Sequence, residues 1–212
     1  MAKLRNQRIS LLSLTKSGWM VFLGLHLMTS AVMAEGVFSG TQTIELVDSK
    51  GIGYPIGRVI FSPSEPLNGS EGSNDQAVGY QLILDHHRFQ DHFLSMKEMK
   101  CLEGPELWCH IPYPYKNPRI VNSKDQRWLE HDLLFLFKRN AEFGANFWNG
   151  IYYKLSVNNG QLTGTAHALD LNMLASPPDN LDQPPVSEFD LEEADLAKRW
   201  LPRLVIRKRA VE

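Results

Sequence analysis

Ile151–Leu169, IYYKLSVNNGQLTGTAHAL, decides the fold. Asn159-Gly160 supplies the pair of positive-φ residues that a two-residue type I′ turn demands, and apolar and polar residues alternate on both sides of it. The stretch therefore reads as a tight hairpin pairing Val157 with Leu162, Leu155 with Gly164, Tyr153 with Ala166 and Ile151 with Ala168. Large residues then oppose small ones on one face, which belongs in a core. The other face carries Ser156 with Thr163, Lys154 with Thr165, and Tyr152 with His167. It reads as outer surface, with the lining of a ligand cavity as the alternative.

Working outward, Phe38–Val47, Gly57–Phe61, Val78–Leu84, Phe93–Cys101 and Leu107–Tyr113 are extended segments bounded by Gly, Pro, Asn or Asp. Residues 131–138 are ambiguous. Ser123 with Gln126 resembles a capping box and Leu129, Leu133, Leu136 and Phe137 recur at helical spacing, yet Leu133–Phe137 also reads as a buried strand. Taken as a strand, it completes eight. The expected architecture is mainly β: a single antiparallel, eight-stranded up-and-down barrel or sandwich, followed by a short C-terminal helix. The strand count, and that alone, resembles the lipocalin architecture; the family's Gly-x-Trp near the first strand is lacking, its place taken by Gly36-Val37-Phe38. The resemblance implies a closed barrel holding a small apolar ligand.

The organisation along the chain is a signal peptide over 1–34, a β-rich domain over 35–175, a Pro-rich linker over 176–186, and a helix with a basic tail over 187–212. In the first segment Lys3, Arg5, Arg8 and Lys16 precede an apolar run from Trp19 to Met28 and the small-residue end Ala31–Ala34. That run is about ten residues, half of what a membrane-spanning helix needs, so cleavage and export to the periplasm are expected, with secretion as the alternative. No later stretch is long and apolar enough to span a membrane as a helix. Ser187 with Asp190 reads as a helix start, Pro202 as its stop, and Leu204–Ile206 as an edge strand. Residues 63–75 read as an exposed Ser/Asn/Gly-rich loop that includes an Asn68 sequon.

With the four basic residues of 1–34 taken from the 22 Lys and Arg, 18 remain against 24 Asp and Glu, a net charge near −6. That balance disfavours a nucleic-acid partner. One basic cluster, Arg203, Arg207, Lys208 and Arg209, reads as a solvated terminus, with contact to anionic lipid headgroups or to a partner as the alternative.

The chain holds two cysteines, Cys101 and Cys109, in a segment that reads as a hairpin turning at Gly104-Pro105. In an exported protein they are expected to form one disulfide, worth roughly 2–3 kcal/mol for a loop this short. The aromatic run that follows offers Trp108, Tyr113 and Tyr115 as ligand-binding candidates, joined by Tyr152 and His167 of the hairpin. Trp128, Phe143, Phe147 and Trp148 are candidates for closing the same end of a barrel. LDHHRFQDHF, residues 84–93, concentrates imidazoles and carboxylates, and its His87, Asp91 and His92 are the candidate zinc ligands, with His110 or His131 joining from elsewhere. The expectation is nevertheless no cofactor, because none of the strong metal-binding spacings occurs. No nucleophile elbow or phosphate-cradling loop is present. Ser95, His110 and Asp125, or Glu98, Glu103 and Glu106, can be assembled into catalytic sets on paper only. The function expected is thus an exported binding or envelope-support protein taking a small apolar molecule. The alternatives are a metal-dependent hydrolase using His86–His92 and an interaction partner docking through the C-terminal segment.

Overall fold

The computed structural model describes residues 36–63, 77–94 and 97–208. The expected signal peptide, the loop from residue 64 to 75 with Asn68, Ser95 and Arg209 lie outside the described residues. Around the hairpin the structure is mainly β. β1 (Gly40–Val47), β2 (Gly53–Pro63), β3 (Val78–Leu84), β4 (Gln90–Leu94), β5 (Lys97–Glu103), β6 (Glu106–Ile111) and β7 (Ile120–Val121) precede a short helix, α1 (Arg127–Asp132). β8 (Leu134–Arg139), β9 (Gly150–Asn158), β10 (Gln161–Leu169), β11 (Glu192–Glu193) and β12 (Arg203–Arg207) follow it. The 131–138 segment is thus divided: its first two residues end α1, Leu133 caps it, and residues 134–138 lie in β8. No helix among the described residues is long and apolar enough to cross a membrane.

β9 and β10 pair in the expected register, and Asn159 and Gly160 both take positive φ, 48° and 76°. Ile151, Tyr153 and Leu155 are buried as expected. Tyr152, on the face read as wet, is buried too, because α1 packs over it and its hydroxyl is bonded to Glu130.

All twelve strands of the described residues belong to one antiparallel sheet in the order β4-β5-β6-β8-β9-β10-β12-β1-β2-β3-β7, with β11 added beside β10. This corrects the eight-stranded barrel. Phe93–Cys101 is two paired strands, β4 and β5, and β7, β11 and β12 are further members. The sheet has free edges at β4 and β7, so it is not a closed barrel.

Nor is it flat. β3 and β4 are nine strand steps apart in the sheet, about 43 Å at the usual strand spacing. Yet Leu84 and Gln90 are joined by five residues, which span about 21 Å at most. The sheet must roll until its two ends approach each other. Gly57 permits the last step of the roll: a Cβ there would sit 2.8 Å from Leu84 Cα and closer still to the Ile83 carbonyl oxygen, so β3 packs against β2 only over a glycine.

The inside of the roll is packed with side chains. Trp108 Nε1 donates to the Tyr153 hydroxyl (3.1 Å), which donates to the Leu201 carbonyl (2.7 Å), and Phe135 meets the Tyr153 ring edge to face. Ile44, Leu46, Val59, Leu162, Leu204 and Ile206 are buried in the same cluster. A smaller cluster, Leu94, Met99, Leu107 and the two cysteines, lies on the other face of β4–β6, flanked by Phe147. Cys101 and Cys109 stand directly opposite each other in the β5–β6 ladder and are disulfide-bonded, Cα atoms 3.9 Å apart. Phe143 and Trp148 are exposed, so neither closes an end of the roll.

The C-terminal segment is not an appendage. β12 lies between β10 and β1, pairing Leu162 with Ile206 and Thr43 with Arg207. It is a central strand rather than an edge. The expected helix after Ser187 is reduced to single 3-10 turns at Glu188–Asp190 and Leu196–Lys198. Ser187 does cap, its N–H and hydroxyl both reaching Asp190 Oδ2 (2.8 and 2.6 Å), but Glu192 and Glu193 are extended to pair with Ala168 and His167. Sheet pairing overrides the local helix signal there. Before β12, Glu106 accepts from the Trp200 N–H (3.0 Å) and pairs with the partly buried Arg199 (2.8 Å), whose guanidinium lies 3.8 Å over the Phe137 ring. The linker is tied down as well, since Val186 is buried with its N–H on His131.

β12 is the only ladder joining β4–β10 to β1–β3 and β7 among the described residues. A chain ending at Pro202 is therefore expected to lose cooperative unfolding in urea, whereas Arg203→Ala, at an exposed β12 position, should shift the midpoint little. A cooperative transition in the truncated chain would contradict this arrangement.

Candidate functional site

Where the rolled sheet fails to close, a cleft of about 390 Å³ opens between β3 on one side and β5–β6 on the other. Register explains its lining. Leu82 and Leu84 share the inward face of β3 with Tyr80 and, with Phe89, give it apolar walls. On β5 and β6, Lys100 and His110 lie on the inward face shared with Leu102 and Trp108. Tyr113, Arg119 and Asp132 add polar groups, and Lys97 stands among the lining residues.

These polar groups are fixed by a network around α1, which contacts both β9 and β7. Asp132 accepts from the Tyr80 hydroxyl (3.0 Å), which in turn accepts from Asn117 Nδ2 (3.2 Å). Arg119, held at φ 54°, places Nε 3.6 Å from Asp132 Oδ2. Burial raises the Asp132 carboxyl above the ordinary aspartate range, opposed by the Tyr80 hydrogen bond and the Arg119 charge. His110 Nε2 donates to the Asp132 carbonyl (2.9 Å), so the proton is on Nε2. Burial lowers the His110 pKa and keeps the ring neutral at pH 7. Nδ1 has no hydrogen bond among the described residues. Tyr113 is buried in an aromatic nest, edge to face with Tyr115 (5.6 Å) and His131 (5.2 Å), and its hydroxyl is likewise unpaired among the described residues.

Behind the cleft, α1 buries two titrating neighbours. Glu130 accepts from the Tyr152 hydroxyl and from the Leu155 N–H (2.6 Å) at a point where β8 no longer pairs with β9. Desolvation pushes its pKa up to about 7, against the effect of both hydrogen bonds. His131 donates from Nδ1 to the Arg127 carbonyl (2.7 Å) and accepts the Val186 N–H at Nε2 (3.3 Å), a pairing that only the neutral ring satisfies. Desolvation brings it down to about 4.

Of the five aromatic candidates, Tyr113 alone borders this cleft. Trp108 is in the packed interior and Tyr152 lies under α1. Tyr115 donates to the Leu174 carbonyl (2.9 Å), and His167 is half-buried beside β11. The three metal candidates do not meet. His87 is in an exposed 3-10 turn, Asp91 pairs with Lys100, and His92 Nε2 lies 2.9 Å from Glu103 Oε1. No group of three or more His, Cys, Asp or Glu side chains is arranged to hold a metal among the described residues. Sequence reasoning missed Asp132, Arg119 and the two leucines as lining, since they converge only through the roll. The one local signal was the polar EHD run, Glu130–Asp132, inside an apolar stretch. Comparison with protein-family models, with curated proteins and with solved structures finds no match.

The two α1 groups set opposite pH dependences. Glu130 has a folded pKa above its ordinary 4.5, so its stabilising contribution is full below pH 4.5 and is lost as pH rises through 7. His131, lowered from 6.5, contributes above pH 6.5 and loses that contribution as pH falls through 4. Glu130→Gln keeps an acceptor for Leu155 and removes the first titration. It is expected to flatten the decline in stability between pH 5 and 8, an effect on the order of 1–3 kcal/mol by urea unfolding. The same slope in both proteins would contradict the burial of an ionisable Glu130.

Proposed function

We propose that the protein is an exported, disulfide-bonded binding protein whose open-seam cleft takes a small amphipathic molecule with an acidic or hydrogen-bonding head. The observation that carries this reading is the unpaired, buried Tyr113 hydroxyl beside an apolar wall of Leu82, Leu84 and Phe89. A volume of about 390 Å³ falls in the range of small-molecule sites. The apolar body of the ligand lies on the leucines and Phe89. Its head meets Tyr113 and His110 Nδ1, with Lys97 and Arg119 supplying positive charge.

Binding rather than catalysis is favoured by the hydrogen bonding. His110 meets the backbone carbonyl of Asp132, not its carboxylate, and that carboxylate is already engaged by Tyr80 and Arg119. No nucleophile stands in line with a base and its orienting acid among the described lining residues. The lipocalin-like idea of a ligand in the centre of the roll is replaced by one at its seam, since Trp108, Phe135 and Tyr153 occupy the centre.

Anilinonaphthalene sulfonate, an apolar ring system with one anionic group, is the probe. Saturable one-to-one binding is expected, weakened at least tenfold by Leu84→Arg and severalfold by Tyr113→Phe, with near-UV circular dichroism unchanged. Equal binding by the Leu84→Arg variant would refute the site.

Export rests on the n-region, apolar run and small-residue end of residues 1–34, and the disulfide fits an oxidising compartment. Expressed in full in a bacterium with a periplasm, the chain is expected in the periplasmic fraction with Glu35 at its N-terminus and no labelled thiol after unfolding without reductant. Recovery in the cytosol with two free thiols would overturn it.

A further inference from the structure

The strand register lines up a row of cations on the outer face of the sheet, across the turn that follows β3 from the seam cleft. Thr43 of β1 pairs with Arg58 of β2 on one side and with Arg207 of β12 on the other, so these three side chains share one face. At usual strand spacing Arg58 and Arg207 are about 10 Å apart across it. The face is the outer one, since Ile44, Val59 and Ile206 on the opposite side are buried in the core. The turn that follows β3 adds His86, His87 and Arg88, and Lys208 follows directly after β12.

Together they line a groove of about 870 Å³. A second hollow of about 490 Å³, lined by Ser39, Gly40 and Thr41, shares Thr43, Arg58 and Lys208 with it, so the depression continues along β1. Its two carboxylates are already neutralised: Glu45 pairs with Arg207 (2.8 Å) and Asp85 with Arg88 (3.6 Å). Lys208 donates to the Ser39 hydroxyl (3.0 Å), and Arg58 has no ion-pair partner among the described residues. Four Arg and Lys against two acids thus converge from three separate parts of a chain whose residues 35–212 carry a net charge near −6. A cationic concavity in an acidic protein concentrates field on one surface and selects anions.

We propose that this groove binds a linear anionic polysaccharide through its sulfate or phosphate esters. The occupant has to be elongated, because the cations are strung along a continuous depression and one small anion would meet only part of them. Thr41 and Thr43 supply hydroxyls to a sugar chain, while Arg58 and Lys208 take the ester groups in charge-assisted hydrogen bonds. No Phe, Tyr or Trp among the described residues lines either hollow, which argues against the stacking platform that single-stranded nucleic acid uses. The surface is concave, and among the described residues its only large apolar side chains are Pro55 and Leu84, which suits a chain rather than a bilayer. This site is independent of the seam-cleft reading.

Heparin hexasaccharide, a sulfated glycan, is titrated into the purified protein, with inorganic phosphate and phosphatidylglycerol vesicles in parallel. Saturable hexasaccharide binding is expected, weakened at least tenfold in Arg58→Ser/Lys208→Ser and within twofold of the original in Lys50→Ser/Lys198→Ser, which removes the same charge elsewhere. All four side chains are exposed, so circular dichroism is expected to be unchanged. Equal weakening in both double variants means non-specific charge attraction and overturns the proposal. So does hexasaccharide binding no tighter than that of inorganic phosphate, or a preference for the vesicles that the Arg58/Lys208 variant loses while it keeps the hexasaccharide.

Discussion

Five residues, Asp85–Phe89, bend the whole sheet. They connect a strand near one end of the sheet order to the strand at the other end, so twelve antiparallel strands cannot lie flat. The link is itself held: the Asp85 N–H donates to the Ile56 carbonyl (2.8 Å), the Arg88 N–H to the Asp85 carbonyl (3.0 Å) and the His87 N–H to Asp85 Oδ1 (3.2 Å). From this constraint follow the shared interior, the closeness of β3 to β5–β6 and the cleft between them. A longer or looser connection would leave the same ladders without fixing the approach of the two edges.

The roll also depends on its C-terminal strand. β4, β5, β6, β8, β9 and β10 form one run of paired strands and β1, β2, β3 and β7 another, and β12 is paired to both. Its placement is prepared by buried polar contacts. Glu106 accepts from both Arg199 and the Trp200 N–H, and the Tyr153 hydroxyl donates to the Leu201 carbonyl. Breaking such a buried ion pair leaves an uncompensated charge, costing about 3–5 kcal/mol. Because the closing strand comes last in sequence, the contacts of β1 with β12 span nearly the full described chain, and loop-closure entropy opposes them until the intervening hairpins have formed.

Much of the local structure was legible because it rests on local chemistry. Asn159-Gly160 dictates the turn, the turn dictates the register, and all four expected apolar pairs of that hairpin are present. The cysteine pair was readable for the same reason, as a short hairpin with its two partners directly opposite. What the sequence concealed is set by pairing at long range. Glu192 and Glu193 look helical beside a good cap and are extended because β10 offers them a ladder. Leu204–Ile206 looks like an edge because nothing nearby in sequence pairs with it. The cleft was hidden more deeply, since Leu84, His110, Arg119 and Asp132 are strangers in sequence and become neighbours only when the sheet rolls. The histidine-rich segment drew attention as a metal site, yet its residues separate because a strand sends Asp91 and His92 to opposite faces.

That histidine-rich segment nevertheless has a structural role the composition could not convey. His86 lines both the seam cleft and the outer groove, and the turn containing it forms a wall between them. One side of the wall faces Leu84, Phe89 and the neutral imidazole of His110, the other faces Arg58, Arg207 and Lys208. The chemistry therefore divides at the turn, with apolar surface and buried hydrogen-bonding groups inside the roll and paired and unpaired cations outside it. A sheet that closed fully would have buried the first surface and left no end strand to hang such a turn upon. Stopping short of closure is what exposes an inward-facing wall to solvent, and the link that enforces the roll is also what keeps the two surfaces apart.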